Sequence, residues 1–342
     1  MPGGAPVRFA VEESQIPELR QFLTQAFDKP PDTPAFTAAC LYWKYFQTRA
    51  DWAAPRSWAL KDDDGQLVAH LGVGPSTLIL PTTTVSTIMM IDWAASRSAP
   101  RGTGSRLMEE VCLGMPMQVI VGGTTDSQRA FHRLGYARVG TLETYWRTLA
   151  PWRRFRETPS PVQPWHVRRL IEDWASDART KLFGRRWTLE RIESFEGYRS
   201  LLRESDDCGW TRCSRTPEML DYMLKCPSDC KAFVFRYRDK PVGYVFLSRN
   251  DRQVRIADLW IASNSENRWK EALAVASVAA RTYPQALELT VTCSSETLRR
   301  AMRPNSFECR IKRPIWLKDP SELMRGAGPL HLQALEADSW FL

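Results

Sequence analysis

The sequence predicts an α/β fold with a mixed sheet of the α+β kind, built twice in tandem. Three observations carry this. The first 150 residues read, by hydrophobic period, as strand, two helices, an antiparallel meander, then strand–helix–strand–helix–strand. Residues 91–107 (IDWAASRSAPRGTGSRL) run from an apolar strand through a basic, glycine-broken turn into a helix. The same order of elements then recurs beyond residue 166.

A chain of 342 residues with 43% apolar residues accommodates two cored domains. No run of 18 uncharged apolar residues occurs, so no membrane span is expected. The start, MPGGAPVRFAVEES, lacks a basic segment followed by an apolar one, so no signal peptide is expected. Eight cysteines in so long a chain are not a disulfide framework, and a cytoplasmic location is expected. Cys208, Cys213, Cys226 and Cys230 cluster, but their spacings miss the C-x2-C pairs of zinc sites; they read as plain thiols, and no metal is expected. The net charge of +8 suits nucleic acid or an anionic cofactor. Much of the excess sits in short runs such as 152–156 (WRRFR), with no basic stripe interleaved with aromatics, so nucleic acid is not expected as a partner.

In order, residues 7–10 form a short strand and 13–27 a helix, with Ile16, Leu19, Phe22, Leu23 and Phe27 on one face. Pro30, Pro31 and Pro34 break it, and a second helix spans 35–46. Residues 58–60 and 67–73 form a hairpin about Asp64-Gly65. Strands follow at 76–80 and 86–94, then the glycine turn and its helix, then a strand at 117–121. A helix over 126–134, capped by Asp126 or Thr125 and ended by Gly135, leads to strands at 136–140 and 143–149. This gives a first domain over 1–150. The proline-rich stretch 151–165 reads as a linker, 166–320 as a second domain, and 321–342 as a C-terminal tail that packs on a domain.

The second domain echoes the first. Thr216-Pro217 opens a helix ending at Lys225, as Thr33-Pro34 opens one ending at Lys44. Residues 232–248 match the 58–73 hairpin, 256–263 (IADLWIAS) match 91–96 (IDWAAS), and 295–307 match 124–136. The second copy has no glycine after its Asp258, where 259–273 reads LWIASNSENRWKEAL. Only the first copy can bring backbone N–H groups close to a pyrophosphate at a helix start.

The turn Arg101-Gly102-Thr103-Gly104-Ser105-Arg106-Leu107 after a strand resembles motif A of the GCN5-related N-acetyltransferases (the GNAT superfamily), Q/R-x-x-G-x-G/A. The later Leu134-Gly135-Tyr136 resembles the turn that ends their next helix. The resemblance covers residues 5–150 and, in degenerate form, 166–318, so the chain is similar to a tandem GNAT-like acyl-CoA N-acyltransferase. It implies acetyl-CoA or another acyl-CoA as cosubstrate. Arg101, Gly102, Thr103, Gly104 and Ser105 would bind the pyrophosphate, and Ala94, Ala95 and Ser96 would pair with the pantetheine arm. Two departures stand out: Ala99 replaces the motif's Gln or Arg, and Phe131 replaces the tyrosine with which many members protonate the leaving thiolate.

Acyl transfer needs a neutral amine, and one of pKa near 10.4 is neutral at pH 7 only about once in a few thousand molecules. A base or an apolar pocket must offset this. Asp92, on the strand entering the turn, is the leading base candidate, and its structural alternative is pairing with an arginine or capping backbone N–H groups. His70, on a strand facing the acceptor side, is the second, against the reading of a satisfied core histidine. Tyr145 is a candidate acid for the thiolate from a neighbouring strand. The expected acceptor is a small-molecule or sugar amine, with a protein lysine as the other class; oligomeric state is not legible. Two alternatives carry the same fold: a non-catalytic acyl-CoA-binding module and an aminoacyl-tRNA-dependent transferase.

Overall fold

The computed structural model describes residues 7–150, 186–206 and 208–336, with residues 153, 156 and 171 between them. Apart from residues 153 and 156, the linker expected at 151–165 lies outside the described residues, as does the end of the tail.

The first half is β1 (Arg8–Ala10), α1 (Ile16–Ala26), α2 (Ala38–Tyr45), β2 (Ser57–Lys61), β3 (Leu67–Ile79), β4 (Thr84–Ala95), α3 (Thr103–Cys112), β5 (Met117–Val121), α4 (Thr125–Arg133) and β6 (Ala137–Thr148). The second half is β7 (Trp187–Ile192), α5 (Arg199–Asp206), the two-residue β8 (Arg212–Cys213), α6 (Pro217–Leu224), β9 (Asp229–Tyr237), β10 (Lys240–Asn250), β11 (Gln253–Ile261), α7 (Glu266–Ala280), β12 (Glu288–Cys293), α8 (Glu296–Met302) and β13 (Glu308–Lys318). Among the described residues, no helix is long and apolar enough to cross a membrane.

Local chemistry explains most boundaries. The α1 stripe Ile16, Leu19, Phe22 and Leu23 is buried as its period demands. In the β2–β3 turn Gly65 takes φ +77°, and Asp62 Oδ1 accepts from the N–H groups of Asp64 and Gln66. Thr216 caps α6 and Ser295 caps α8, each through its hydroxyl oxygen. For α4 the cap is Thr124, whose Oγ1 accepts from Ser127 N at 3.2 Å, so neither Asp126 nor Thr125 fills that role.

Two expected strand breaks are absent. Residues 67–79 form one strand, because Pro75 lies where its missing N–H is not needed. β3 pairs with β4 there (Pro75↔Ile88), while on its other edge β2 has ended at Gly72 and β8 begins only at Leu78. Residues 137–148 likewise form one strand, irregular against β13 but continuous.

The strands form one sheet in the order β1-β2-β3-β4-β5-β13-β6-β12-β11-β10-β9-β7, with β8 beside β3. The order is its own mirror image when each strand is replaced by its counterpart in the other half. The last strands are exchanged: β13 pairs with β5 of the first half, β6 with β12 of the second, and the two pair with each other at the pseudo-twofold axis. The chain is thus a mixed α/β fold with a tandem, strand-exchanged sheet. One core runs from α1 and α2 across α6 to α7, and a smaller one packs α3 on β2, β3 and β4.

Candidate functional site

β4 pairs in parallel with β5 only over Thr87, Ile88 and Met89. Beyond Met89 the strands diverge. Among the described residues no strand pairs with β4 on that side, so the edge carrying Ala94 and Ala95 is open. The opening leads to the start of α3. Gly102 is its N-cap at φ +90°, a conformation that costs an L side chain about 1–2 kcal/mol. Gly104 sits in a tight space: a Cβ there would lie 3.3 Å from Ala95 Cβ and from Trp93 Nε1, and Trp93 Nε1 donates to Gly104 O at 3.0 Å. The helix therefore starts hard against the strand end. Pro100 O takes the N–H of Thr103, leaving the next N–H groups, those of Gly104 and Ser105, without intrahelical acceptors. Arg97 and Arg101 are exposed beside them. A pyrophosphate fits this cradle by backbone geometry and by charge.

The corresponding opening in the second half is filled. β11 and β12 pair only up to Ile256 and Val291. Between them lies the chain's own C-terminal segment. Gln333 bridges to Cys293, its Oε1 accepts from Leu259 N (3.1 Å), and its Nε2 donates to Leu259 O (2.8 Å) and to Asp258 Oδ1 (2.7 Å). Ser294 N donates to Leu332 O. The tail thus occupies a backbone edge equivalent to the one left open in the first half.

Asp92 sits at a bulge in β4, between the pairs Gly72↔Ile91 and His70↔Ala94, with φ +46°. Its Oδ2 accepts from Lys44 Nζ at 2.8 Å and from the Tyr45 hydroxyl, and both members of the ion pair are buried. Gly72 makes room, since a Cβ there would come within 2.7 Å of Tyr45 Cε1. The second copy has a related device: Asp258 stands next to the β11 bulge at Ala257 and is bound by Arg215 and Tyr244.

His70 is fully buried. The Asp92 carbonyl can only accept, so His70 Nδ1 carries the proton and donates to it (2.9 Å), and Nε2 accepts from Ser57 Oγ (2.9 Å). Burial lowers its pKa from 6.5 to about 4, against the raising effect of the Asp92 carbonyl and carboxylate. It is a neutral imidazole with its lone pair engaged, holding the bulge from behind.

The structure does not bring Tyr145 to this place. The strand exchange puts β13 between β5 and β6, so Tyr145 is not on a neighbouring strand. Its hydroxyl donates to Glu143 Oε2 at 2.6 Å, and burial followed by that carboxylate raises its pKa. Phe131 fills core space among Trp93, Tyr136 and Trp316, its ring over Gly123.

A cavity of about 70 Å³ lies on the α2 face of β3 and β4, between the halves. Lys44, Ile91, Arg49 and Arg56 line it from the first half, and Arg215, Tyr222, Leu335 and Glu336 from the second. Trp43 stacks on Tyr222 at 5.3 Å and donates to its carbonyl, fastening α2 to α6. Sequence reasoning missed these cations. Arg49 and Arg56 lie in irregular chain with no local pattern, although the match of Lys44 to Lys225 did place Lys44 at a helix end.

The arrangement defines a class. The chain has the tandem GNAT fold, with a glycine-broken helix start at the strand opening in the first copy only. No family profile and no curated protein matches the sequence. Solved structures do match in fold. A GCN5-related N-acetyltransferase from Anabaena variabilis ATCC 29413 superposes with TM-score 0.61 at 13% identity, covering 92% of this chain and 73% of that one. Saccharomyces cerevisiae N-myristoyltransferase, with bound myristoyl-CoA and inhibitors, gives TM-score 0.65 at 12% identity, covering 92% and 80%. A GCN5-related N-acetyltransferase from Kribbella flavida gives 0.57 at 15% identity, covering 92% and 72%.

Proposed function

We propose that this chain is an acyl-CoA-dependent N-acyltransferase with one working cradle. The observation that carries the reading is the asymmetry between the copies. The β4–β5 opening ends on glycines and a bare helix start, whereas the β11–β12 opening is closed by the tail. The similar proteins of known structure are described as N-acetyltransferases and as an N-myristoyltransferase, which supports acyl transfer and leaves acetyl and longer chains as the donors to compare.

Bound acyl-CoA supplies an acyl group activated as a thioester. The N–H groups of Gly104 and Ser105 hold its pyrophosphate, with Arg97 and Arg101 beside them. The open edge at Ala94, Ala95 and Ser96 holds the pantetheine arm, as an added strand would be held. The Asp92 bulge, fixed by Lys44, Tyr45 and His70, turns that edge toward the cavity between the halves, where the amine binds. Cationic lining disfavours the charged form of an amine, and so lowers the cost of presenting it neutral. The amine nitrogen bonds to the acyl carbon, the carbon–sulfur bond breaks, and the ammonium proton passes to the thiolate or to water.

A specific observation favours one second reading, a non-catalytic acyl-CoA-binding module: Asp92 and His70 are both engaged within the fold, and Phe131 carries no hydroxyl. Calorimetry with acetyl-CoA and myristoyl-CoA, followed by a thiol-release assay over an amine panel, separates the two. Binding with thiol release supports the transferase. Binding without release from any amine supports the module. No binding at high micromolar concentration overturns both.

A further inference from the structure

Four cations line the cavity between the halves, and three have carboxylates. Lys44 pairs with Asp92, Arg49 holds Asp51 through Nε and Nη2 (2.9 and 2.6 Å), and Arg215 holds Asp258 and Glu336. Arg56 differs. It is 5% exposed, and its partners are neutral: Nη1 donates to the Tyr222 hydroxyl at 2.7 Å and Nη2 to the Gln47 carbonyl. Among the described residues no carboxylate lies within ion-pair distance of Arg56. Five N–H donors less two leave three. Both this guanidinium (5.5 Å) and that of Arg49 (5.0 Å) lie near the Tyr222 ring, on which Trp43 also stacks.

A buried guanidinium without a carboxylate in direct contact is costly to the folded chain unless something supplies the charge. Asp51 feels the Arg56 charge at longer range, but both its oxygens are held by Arg49, and the other carboxylates of the cavity are held by Lys44 and Arg215, so an anion from outside fits best. We propose that the acceptor is a small amine that carries its own oxyanion, a carboxylate or a phosphate, which seats on Arg56 while the amine points toward the Asp92 bulge. This rests on the reading of the cavity as the acceptor site. The cavity's size favours a small molecule over a protein segment.

The test uses matched pairs that differ only in the anion: amino acids against their carboxamides, and amino-sugar phosphates against the parent amino sugars. Thermal shift and calorimetry on the full chain, without acyl-CoA, read binding independently of turnover. At least one anionic member is expected to bind about tenfold to a hundredfold tighter than its neutral partner. The amino-acid and sugar-phosphate arms tell carboxylate from phosphate. Arg56→Gln is expected to reduce the preference to within about threefold while the affinity for acetyl-CoA stays unchanged. Should Arg56→Gln fail to fold, Arg56→Lys, which keeps charge but loses the planar fork, is expected to retain only part of the preference. Equal binding of neutral and anionic members, no binding of any anionic member at millimolar concentration, or a preference that survives loss of Arg56 overturns the proposal. Failure to bind acyl-CoA would instead overturn the transferase reading and leaves the Arg56 measurement intact.

Discussion

Replacing Asp92 with Asn separates the two roles that its position suggests. Asn tolerates positive φ, so the bulge at φ +46° is kept, and its amide oxygen can still accept from Tyr45. What goes is the carboxylate 2.8 Å from the Lys44 ammonium, in a pair whose side chains are only 1% and 4% exposed. Removing one member of such a pair costs about 3–5 kcal/mol, because the remaining charge stays buried. The urea midpoint should fall accordingly, and Lys44→Met combined with Asp92→Asn should recover all but about 1–2 kcal/mol. Turnover, corrected for the folded fraction, should drop by less than about tenfold, since a positioning residue loses less than the 10²–10⁴ of a general base. The opposite pattern would refute this: a stability loss below about 1 kcal/mol with kcat down a hundredfold or more. Asp92 would then be the base.

Other consequences can be checked in the same way. His70 has its pKa depressed to about 4 from 6.5, so the unfolded chain takes up its proton first on acidification. Its contribution is fully present above pH 6.5 and is lost as pH falls toward 4, a drop of roughly 3 kcal/mol that His70→Asn should flatten in denaturant titrations at stepped pH. Gly104→Val drives a side chain into Ala95 and the Trp93 indole, an overpacking of about 1–3 kcal/mol. Acyl-CoA affinity in calorimetry should fall at least about fivefold. At Gly102, where a Cβ meets no atoms, Asn should bind acyl-CoA better than Val, because only backbone conformation is at stake.

What the sequence made legible is what short-range chemistry writes. The strand, glycine turn and helix at 91–107, the Asp64-Gly65 hairpin and the echo of Thr33-Pro34 at Thr216-Pro217 each depend on neighbouring residues. A buried ion pair for Asp92 was among the readings open from sequence, but with an arginine; the partner is Lys44, and 48 positions separate the two. Pro75 looked like a strand end because an edge gap between β2 and β8 is invisible in one dimension. Tyr145 was placed wrongly relative to the cradle for a related reason: strand order is a property of distant pairings, and nothing local to 137–148 says that β13 will intervene. The tail was expected to pack on a domain, yet the residue that docks it is the polar Gln333, which meets the backbone polar groups of β11.

The exchange of β6 and β13 gives the two halves a relation closer to interlocked partners than to beads on a string. Had the same topology been made by two separate polypeptides, it would be a dimer in which each subunit lends its final strand to the other. Joining them end to end would need no rearrangement of the sheet. The halves are therefore held together by strand pairing across the pseudo-twofold axis. Cutting the chain once within residues 151–185 should leave two pieces that co-elute on size exclusion and retain acyl-CoA binding. Either piece expressed alone would place an unpaired β6 or β13 in water and should aggregate.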